Sequence, residues 1–227
     1  MEKKPNRTNQ SVDRERMLID GEWVAGLEGR FIAVENPSRR GSVIGEVPRA
    51  TAEDVDQAVR AAAKAFEKWK RVPPRDRGKL MLKIADSLEP KVEELARILA
   101  QDTGNAIRTQ SRPEVALVVD LFRYFGGIAS EIKGETVPLG EQVLSYSRRE
   151  PIGVVGGIIP WNSPILLGAL KITMAITAGN TLVLKPSADA PLGVLKMARS
   201  RMTARAQERG AFLVDNFDST LRRASRS

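Results

Sequence analysis

One stretch of this sequence constrains the fold more than any other: residues 151–184 contain a single charged side chain, Lys171. The first twenty of these residues, 151–170, are uncharged and would be long enough to cross a bilayer as a helix. Two prolines flank the polar residues Asn162 and Ser163 within that stretch, and a bilayer would leave the freed backbone groups there unsatisfied. We therefore favour a buried βαβ unit over a membrane helix.

The predicted βαβ unit consists of two apolar strands, 154–159 and 181–184, joined by an apolar helix. Ser163 is expected to be the N-cap of that helix, Pro164 stands at its first position, and Gly179-Asn180 end it. Nearly continuous apolar strands are typical of a parallel sheet covered by helices on both faces. The predicted fold class is therefore α/β.

The part of the chain before this unit predicts short strands followed by amphipathic helices. A hairpin is expected around Asp20-Gly21, and Thr51 with Asp54 forms a variant of the capping box at the start of the first helix. Further short strands are expected at 31–34 and 43–47. Apolar residues then recur at helical spacing in four segments, which begin near Val55, Leu80, Val92 and Val115, and we interpret these stripes as core.

The formal net charge of +8 suggests a nucleic-acid partner, but most of it resides at the two ends of the chain. Residues 1–16 carry five basic and three acidic side chains, and residues 199–227 carry seven arginines and three acids. Because the middle holds little net charge, a folded basic face is not indicated. An arginine-rich nucleic-acid binder acting through 199–227 is a remote alternative, since Phe212 and Phe217 make no obvious stacking platform. We expect no nucleic-acid partner.

The 227 residues contain no cysteine and no histidine. Thiolate and imidazole metal ligands, cysteine nucleophiles and Ser-His-Asp triads are therefore excluded within them, and we expect no metal. No apolar signal-like segment opens the sequence, which leaves the cytoplasm as the expected location.

Polar residues follow both strands of the βαβ unit. The first strand leads into Asn162, whose amide can donate a hydrogen bond, and the second leads into Lys185 and Ser187. Ligands of open α/β sheets bind beyond the carboxyl ends of the strands, where a helix N-terminus offers free N–H groups to an anion. The G-x-G-x-x-G fingerprint of ordinary dinucleotide folds is absent. From the residues alone, Asn162 could equally be a turn residue that caps the helix, Lys185 a solvated strand end and Trp161 a core residue.

The chain resembles the NAD(P)-dependent aldehyde dehydrogenase superfamily over residues 17–198. Five motifs in the family's order and spacing carry this resemblance: Ile19-Asp20-Gly21-Glu22-Trp23, Asn36-Pro37, Asp102-Thr103-Gly104, Arg149 to Asn162, and Gly179 to Ser187. The resemblance implies an incomplete Rossmann-like cofactor-binding domain and an oxidoreductase that uses NAD or NADP. The domain boundaries expected from it are a disordered tail at 1–16, the amino-terminal part of the cofactor domain at 17–135, the start of an oligomerisation hairpin at 136–150, the βαβ part at 151–198, and a basic non-family tail at 199–227.

The resemblance also implies roles for particular residues. Asn162 would supply the side-chain half of an oxyanion hole, and Lys185 would reach the adenosine ribose. Ala188 stands where many NAD-preferring members have a glutamate that bonds the ribose hydroxyls, so NADP is not disfavoured. The residues implied to contact the cofactor are Ile158, Ile159, Pro160, Trp161, Asn162, Lys185, Ser187 and Ala188.

The family's reaction oxidises an aldehyde to a carboxylic acid through a cysteine thiolate and a glutamate, both well downstream of the lysine-proline motif. This sequence holds no cysteine, and family members are more than twice as long. We therefore interpret the chain as an amino-terminal fragment, inactive alone, that keeps the oxyanion donor and part of the cofactor cleft. The alternative is a non-catalytic protein that pairs with full-length relatives through the hairpin. Homo-oligomers or hetero-oligomers are the expected partners, with an aldehyde as the family's substrate class and no membrane partner.

Overall fold

A computed structural model describes residues 13–199 and the backbone of residues 211–213. It has nine strands and six α-helices within those ranges, and their bounds are β1 Met17–Ile19, β2 Glu22–Val24, β3 Phe31–Glu35, β4 Val43–Pro48, α1 Ala52–Trp69, α2 Pro74–Leu88, α3 Val92–Thr103, α4 Arg112–Gly127, β5 Thr136–Pro138, β6 Leu144–Tyr146, β7 Val154–Ile158, α5 Pro164–Thr177, β8 Thr181–Lys185, α6 Leu192–Arg199 and β9 Ala211–Leu213.

The central sheet has the strand order β2-β1-β9-β8-β7. Strands β7, β8 and β9 are parallel, whereas β1 runs antiparallel to β9 and to β2. Helix α1 packs on one face of the parallel strands, and α5 packs on the other, with α6 beside it. This arrangement confirms the predicted α/β class and the βαβ unit, because β7 and β8 are parallel, α5 connects them, and helices cover both faces of β8.

The predicted turn and cap of the amino-terminal part are confirmed. Asp20 and Gly21 both have positive φ, 50° and 84°, as a two-residue hairpin turn between β1 and β2 requires. At the start of α1 the Asp54 N–H donates to Thr51 Oγ1 at 3.2 Å, and the Thr51 N–H donates to Asp54 Oδ2 at 2.7 Å. These reciprocal bonds satisfy two helix-terminal donors and fix the entry into α1.

The predicted apolar stripes form the core, with one exception. Trp69, at the end of α1, is fully buried, and its indole N–H donates to the Ile176 carbonyl at 3.2 Å. Val59, expected on the same stripe, is 41% exposed, so it lies outside the face of α1 that packs on the sheet. The large core cluster joins α2, α3 and α4 to α5 and α6, and a smaller cluster fills the space between α1 and the sheet.

Order begins before Met17, where the tail was expected to end. Glu15 is fully buried, and its carboxylate pairs with Lys196 at 2.7 Å and Arg199 at 3.2 Å on α6. Arg14 pairs with Glu46 on β4. These ion pairs anchor residues 13–16 to the folded part, so they are not a disordered tail; residues 1–12 lie outside the described range.

A strand follows α6, although the sequence indicated none. Strand β9 pairs in parallel with β8 and contacts β1 through Leu18, so it joins the two halves of the sheet. Its four-residue apolar group, Ala211 to Val214, lies between arginine-rich segments and lacks the length that identifies a strand from sequence. The remainder of the predicted 199–227 tail, with Phe217, lies outside the described residues.

Strands β5 and β6 form a two-stranded hairpin apart from the central sheet. The Ser147 N–H donates to the Glu135 carbonyl at 2.8 Å and closes its base. No helix in residues 13–199 is long and apolar enough to cross a membrane.

Candidate functional site

The carboxyl ends of β7 and β8 place two of the predicted site residues side by side. Ile158, the last residue of β7, is the register partner of Lys185, the last residue of β8. Both side chains lie on the face of the sheet that α1 covers nearer the start of the strands. Val154 is four residues before Ile158 and Val183 is two residues before Lys185, so each pair shares a face, and both valines pack in the cluster beneath α1. Ile158 is 73% exposed and Lys185 is half-buried. The two side chains therefore border an open ledge at the carboxyl edge of the sheet.

This ledge has room for a ligand next to a cation. A side chain built at Gly156, two residues before Ile158 on the same face, would meet nothing within 4 Å. Lys185 Nζ donates to the Pro186 carbonyl at 3.2 Å, its one hydrogen bond within the described residues, and an ammonium group has three donors. Two donors are thus free for the hydroxyls or phosphate of a nucleotide.

The loop after β8 contains a carboxylate that the sequence reasoning did not weigh. The Ser187 hydroxyl lies 3.4 Å from Asp189 Oδ2, and the Asp189 N–H donates to Ser187 Oγ at 3.3 Å. Ala188 between them is exposed. A negative charge therefore lies one residue beyond Ala188, the position at which many NAD-preferring members of the family have a glutamate.

The loop after β7 exposes three of the predicted residues and buries one. Pro160, Trp161 and Asn162 are exposed, with Trp161 at 59%, so Trp161 is not a core residue. Ile159 is 1% exposed and packs in the large core cluster on the opposite face of the sheet. Its side chain therefore points away from the Ile158–Lys185 ledge and leaves only its backbone for a ligand there.

Asn162 is held by its backbone and not by its side chain. Its carbonyl accepts a hydrogen bond from Asn105 Nδ2 at 3.2 Å. Its side-chain amide makes no hydrogen bond within residues 13–199, so it does not cap α5 and its donors are free. The amide remains available to a substrate oxygen.

The amino terminus of α5 is capped by a residue of another helix. Ser163 stands at the N-cap position, as predicted, but its side chain does not bond the α5 backbone. Instead its hydroxyl donates to Glu114 Oε2 at 3.1 Å, and the Leu166 N–H donates to Glu114 Oε1 at 3.2 Å. The predicted N-cap position of Ser163 is therefore confirmed, but Glu114 of α4, and not the Ser163 side chain, takes the first-turn N–H group.

The amino terminus of α6 has a similar arrangement. Asp102, at the end of α3, accepts from the Gly193 N–H at 2.9 Å through Oδ2 and is 1% exposed. Its Oδ1 has no hydrogen-bond donor in the described part of the chain. Burial raises the pKa of the Asp102 carboxyl to about 7, although the N–H groups of Gly193 and Leu192 favour its ionised form. Burial likewise raises the pKa of Glu114, against the hydrogen bonds that it accepts.

These two carboxylates change what the site can bind. A helix N-terminus attracts anions through its free N–H groups and the helix dipole. Protein carboxylates already occupy this place at α5 and α6, so N–H groups in the first turns of these two helices are bonded to Glu114 and Asp102 and are not free for an anionic ligand. Both residues continue apolar stripes of their helices, Asp102 after Leu99 and Glu114 before Val118, and a charge on such a stripe is a signal that sequence reasoning can use.

The fold and the ledge together define a Rossmann-type nucleotide-binding unit: parallel strands, helices on both faces, and polar groups at the carboxyl edge. Within residues 13–199 and 211–213, no three acidic side chains cluster closely enough to hold a metal.

Comparison with known proteins identifies the family. The model of the aldehyde dehydrogenase family matches residues 23–212, so this chain belongs to that family. An aldehyde dehydrogenase of Aspergillus niger is 45% identical over 183 residues, which are 80% of this chain and 36% of that protein. The match reaches past residue 198, where the motifs visible in the sequence end.

Solved structures agree with this assignment. A crystal structure described as a putative aldehyde dehydrogenase from Burkholderia cenocepacia has a TM-score of 0.84 and 40% identity, and the match covers 89% of this chain and 41% of that one. The NAD+ complex of an aldehyde dehydrogenase from Bacillus cereus has a TM-score of 0.84 and 34% identity, covering 96% and 44%. The chain thus spans well under half the length of the relatives that it matches.

Proposed function

We propose that this chain supplies the amino-terminal part of an NAD(P)-dependent aldehyde dehydrogenase site: the adenosine side of the cofactor cleft and one oxyanion donor. The observation that carries the proposal is the pairing of Ile158 with Lys185 at the open carboxyl edge of two parallel strands. Nucleotides bind at this edge in open α/β sheets. The NAD+ complex of the Bacillus cereus relative supports a nicotinamide cofactor for the family site.

The ledge fits the adenosine half of such a cofactor. Ile158 offers an exposed apolar side chain on which an adenine ring can pack, and the free Lys185 donors can bond the ribose hydroxyls. Ser187, Ala188 and Asp189 form the polar rim beyond it. Pro160 and Trp161 border the other side, toward Asn162.

Asn162 is proposed to bind the aldehyde oxygen. The backbone of Asn162 is held by the hydrogen bond that its main-chain carbonyl accepts from Asn105. Its neutral side-chain amide can then stabilise negative charge that develops on the aldehyde oxygen without itself losing a proton. The bound nicotinamide ring would accept the hydride of the reaction. The thiolate that attacks the carbonyl is not supplied by these 227 residues, which contain no cysteine. We propose that they do not complete the reaction by themselves.

Cofactor binding tests the ledge directly. We expect saturable binding of NAD to the 227-residue chain in ligand-observed NMR, and Lys185→Met should weaken it about tenfold, as loss of a hydrogen bond from a charged donor does. Lys64→Met, which removes an exposed lysine on α1, is the matched control and should leave the affinity unchanged. Absence of saturable binding, or equal effects of the two substitutions, would contradict the proposed site.

The choice between NAD and NADP depends on the charges of the rim. Position 188 is alanine and has no carboxylate that would repel the 2′-phosphate of NADP, which favours NADP binding. Asp189, in contrast, places a carboxylate beside Ser187 that would repel this phosphate. We therefore expect Ala188→Glu to shift the affinity ratio toward NAD and Asp189→Asn to shift it toward NADP. A ratio that neither substitution changes would show that this loop lies away from the ribose.

The role of Asn162 requires a complete catalytic site. In a chimera of residues 1–198 with the catalytic part of a relative, Asn162→Ala should lower kcat by about 10²–10³ and change cofactor affinity little. If kcat of this variant stays within about threefold of that of the parent chimera, the proposed oxyanion role of Asn162 is wrong.

The β5–β6 hairpin supports association as a second function. Leu144 is 81% exposed and Tyr146 is 69% exposed, and Leu139 in the connecting loop is 62% exposed. Large apolar side chains grouped on one projecting hairpin are typical of a surface that a partner covers. We propose that this hairpin pairs with a second copy or with a longer relative, in the cytoplasm. Mixing the chain with a full-length relative and measuring the mass of the complex tests it, and Leu144→Asp should abolish the complex.

A further inference from the structure

The geometry points to Glu114 and Asp102 as two positioning residues that set the two loops of the proposed site. The loop 159–163 follows β7 and carries Asn162, and the loop 186–191 follows β8 and carries Ser187. Each loop ends where a helix begins, and each of those helices is capped by one of the two carboxylates. The inference rests on the proposed function, because the loops matter only if they contact cofactor or substrate.

Glu114 fixes the end of the first loop. It is 9% exposed, and its two oxygens bind two different parts of the loop–helix junction: the Ser163 hydroxyl at 3.1 Å and the Leu166 N–H at 3.2 Å. Asn105 holds the adjoining residue by its carbonyl, at 3.2 Å. The backbone of Asn162 is therefore held between two attachments from outside the βαβ unit, and its side chain is left free.

Asp102 fixes the end of the second loop. It is 1% exposed and binds the Gly193 N–H at 2.9 Å, at the first turn of α6. The Gly193 N–H has no partner within its own helix at this position, so the bond to Asp102 stabilises the start of α6. A carbon atom added at Gly193 would lie 3.4 Å from Leu99 Cδ1 and 3.7 Å from Asp102 Oδ2, so α6 begins close against the end of α3.

Both carboxylates lie on one stretch of chain, residues 102–114, between α3 and the first turn of α4. This stretch is internally bonded: the Asn105 N–H donates to Thr103 Oγ1 at 3.1 Å, and the Ser111 hydroxyl donates to the Asn105 carbonyl at 3.3 Å. The two site loops start side by side, because β7 pairs with β8 and the Ile159 N–H donates to the Lys185 carbonyl at 2.9 Å. Their far ends, at the first turns of α5 and α6, are both attached to this one segment of the amino-terminal part.

Hydrogen–deuterium exchange of the full chain, followed by mass spectrometry, tests the two contacts separately. We compare a peptide covering residues 160–169 with one covering residues 186–196. Glu114→Ala should speed exchange of the first peptide about tenfold to a hundredfold, as loss of a bond to a charged acceptor predicts, and leave the second within about threefold. Asp102→Ala should do the reverse.

Conservative variants distinguish the loss of one hydrogen bond to a loop from a general loss of protein stability. Glu114→Gln and Asp102→Asn keep an acceptor oxygen in the same place, so each should restore exchange to within about threefold of the wild type. Ser163→Ala, which removes only the hydroxyl donor, should speed the first peptide slightly and leave the second unchanged. Asp120→Ala, an exposed carboxylate on α4, is the matched control and should change neither peptide.

The inference would be wrong if either alanine variant accelerates exchange of both peptides equally, as it would if the variant unfolds the whole protein. It would also be wrong if neither alanine variant changes the exchange of either peptide. NAD binding is measured on the same wild-type sample. Failure to bind NAD counts against the proposed function, whereas the exchange pattern decides whether the two carboxylates hold the loops.

Discussion

Asp102→Asn should make this protein more stable at neutral pH, although it alters a helix cap. The carboxyl is 1% exposed, Oδ2 accepts from the Gly193 N–H, and Oδ1 has no donor in the described part of the chain. Asparagine keeps one acceptor oxygen for Gly193 and never carries a charge. The cost of burying a carboxylate is therefore removed while the bond to α6 is retained.

The pH dependence follows from the pKa of Asp102. Burial raises this pKa from 3.8 to about 7, so the folded chain holds the proton more tightly than the unfolded chain does. The stabilising contribution of the protonated form is fully present below about pH 4 and is lost as the pH rises through about 7. At about 1.4 kcal/mol per pKa unit, the whole shift corresponds to about 4 kcal/mol, against a total of about 5–15 kcal/mol for a typical domain.

The assay is urea unfolding at several pH values between about 4.5 and about 8.5, followed by circular dichroism at low protein concentration. The stability of Asp102→Asn minus that of the wild type should rise by up to about 1.4 kcal/mol per pH unit and level off above about pH 7. Glu94→Gln, an exposed carboxylate on α3, is the control and should show a flat difference. A flat or falling difference for Asp102→Asn would refute the reasoning, because the carboxyl would then titrate as it does in the unfolded chain.

Three further outcomes are expected. The purified 227-residue chain should oxidise no aldehyde with NAD or NADP, since it has no cysteine; turnover that survives repurification and falls in Asn162→Ala would contradict this. The isolated chain should self-associate in light scattering, because Ile152 and Ile158 beside the open edge of β7 are 88% and 73% exposed; a sharp monomer peak with cooperative melting would be the opposite result. Gly179→Ala should lower stability by more than about 1 kcal/mol, since φ is +88° and the added carbon would lie 2.6 Å from Arg77, whereas Gly127→Ala meets nothing within 4 Å and should be neutral or stabilising in thermal melts.

The sequence was most informative where a local rule acts alone. The paired positive φ values at Asp20-Gly21 and the capping box at Thr51 each depend on a few adjacent residues, and both features are present. The βαβ unit was predictable for a similar reason: its strands and helix are almost entirely apolar, which is typical of a parallel sheet covered by helices.

Features that depend on distant partners were not predictable from such patterns. Glu15 is buried because α6 brings Lys196 and Arg199 to it, about one hundred and eighty residues later in the chain. Strand β9 lies between β8 and β1 and pairs with both, and its local sequence is too short to show this. Among the candidate residues, Ile158 lies beside Lys185 because β7 and β8 pair at these positions. Side chains of successive residues in a strand point to opposite faces, so the Ile159 side chain lies on the other face of the sheet. The roles of these residues toward a cofactor stay predictions.

The missing G-x-G-x-x-G fingerprint and the buried carboxylates have a common physical basis. In folds with that fingerprint, glycines let the pyrophosphate approach the N-terminus of the first helix of the unit. Here Gly157 of β7 has a different role. A Cβ atom at this position would lie 2.7 Å from Leu184, so the glycine permits close packing between β7 and the core. Glu114 occupies the position at α5 that an anionic ligand would take. Since a carboxylate and a phosphate cannot share that position, the first turn of α5 does not need the glycine-rich approach that the fingerprint provides, which agrees with the proposal that Lys185 binds the adenosine side of the cofactor.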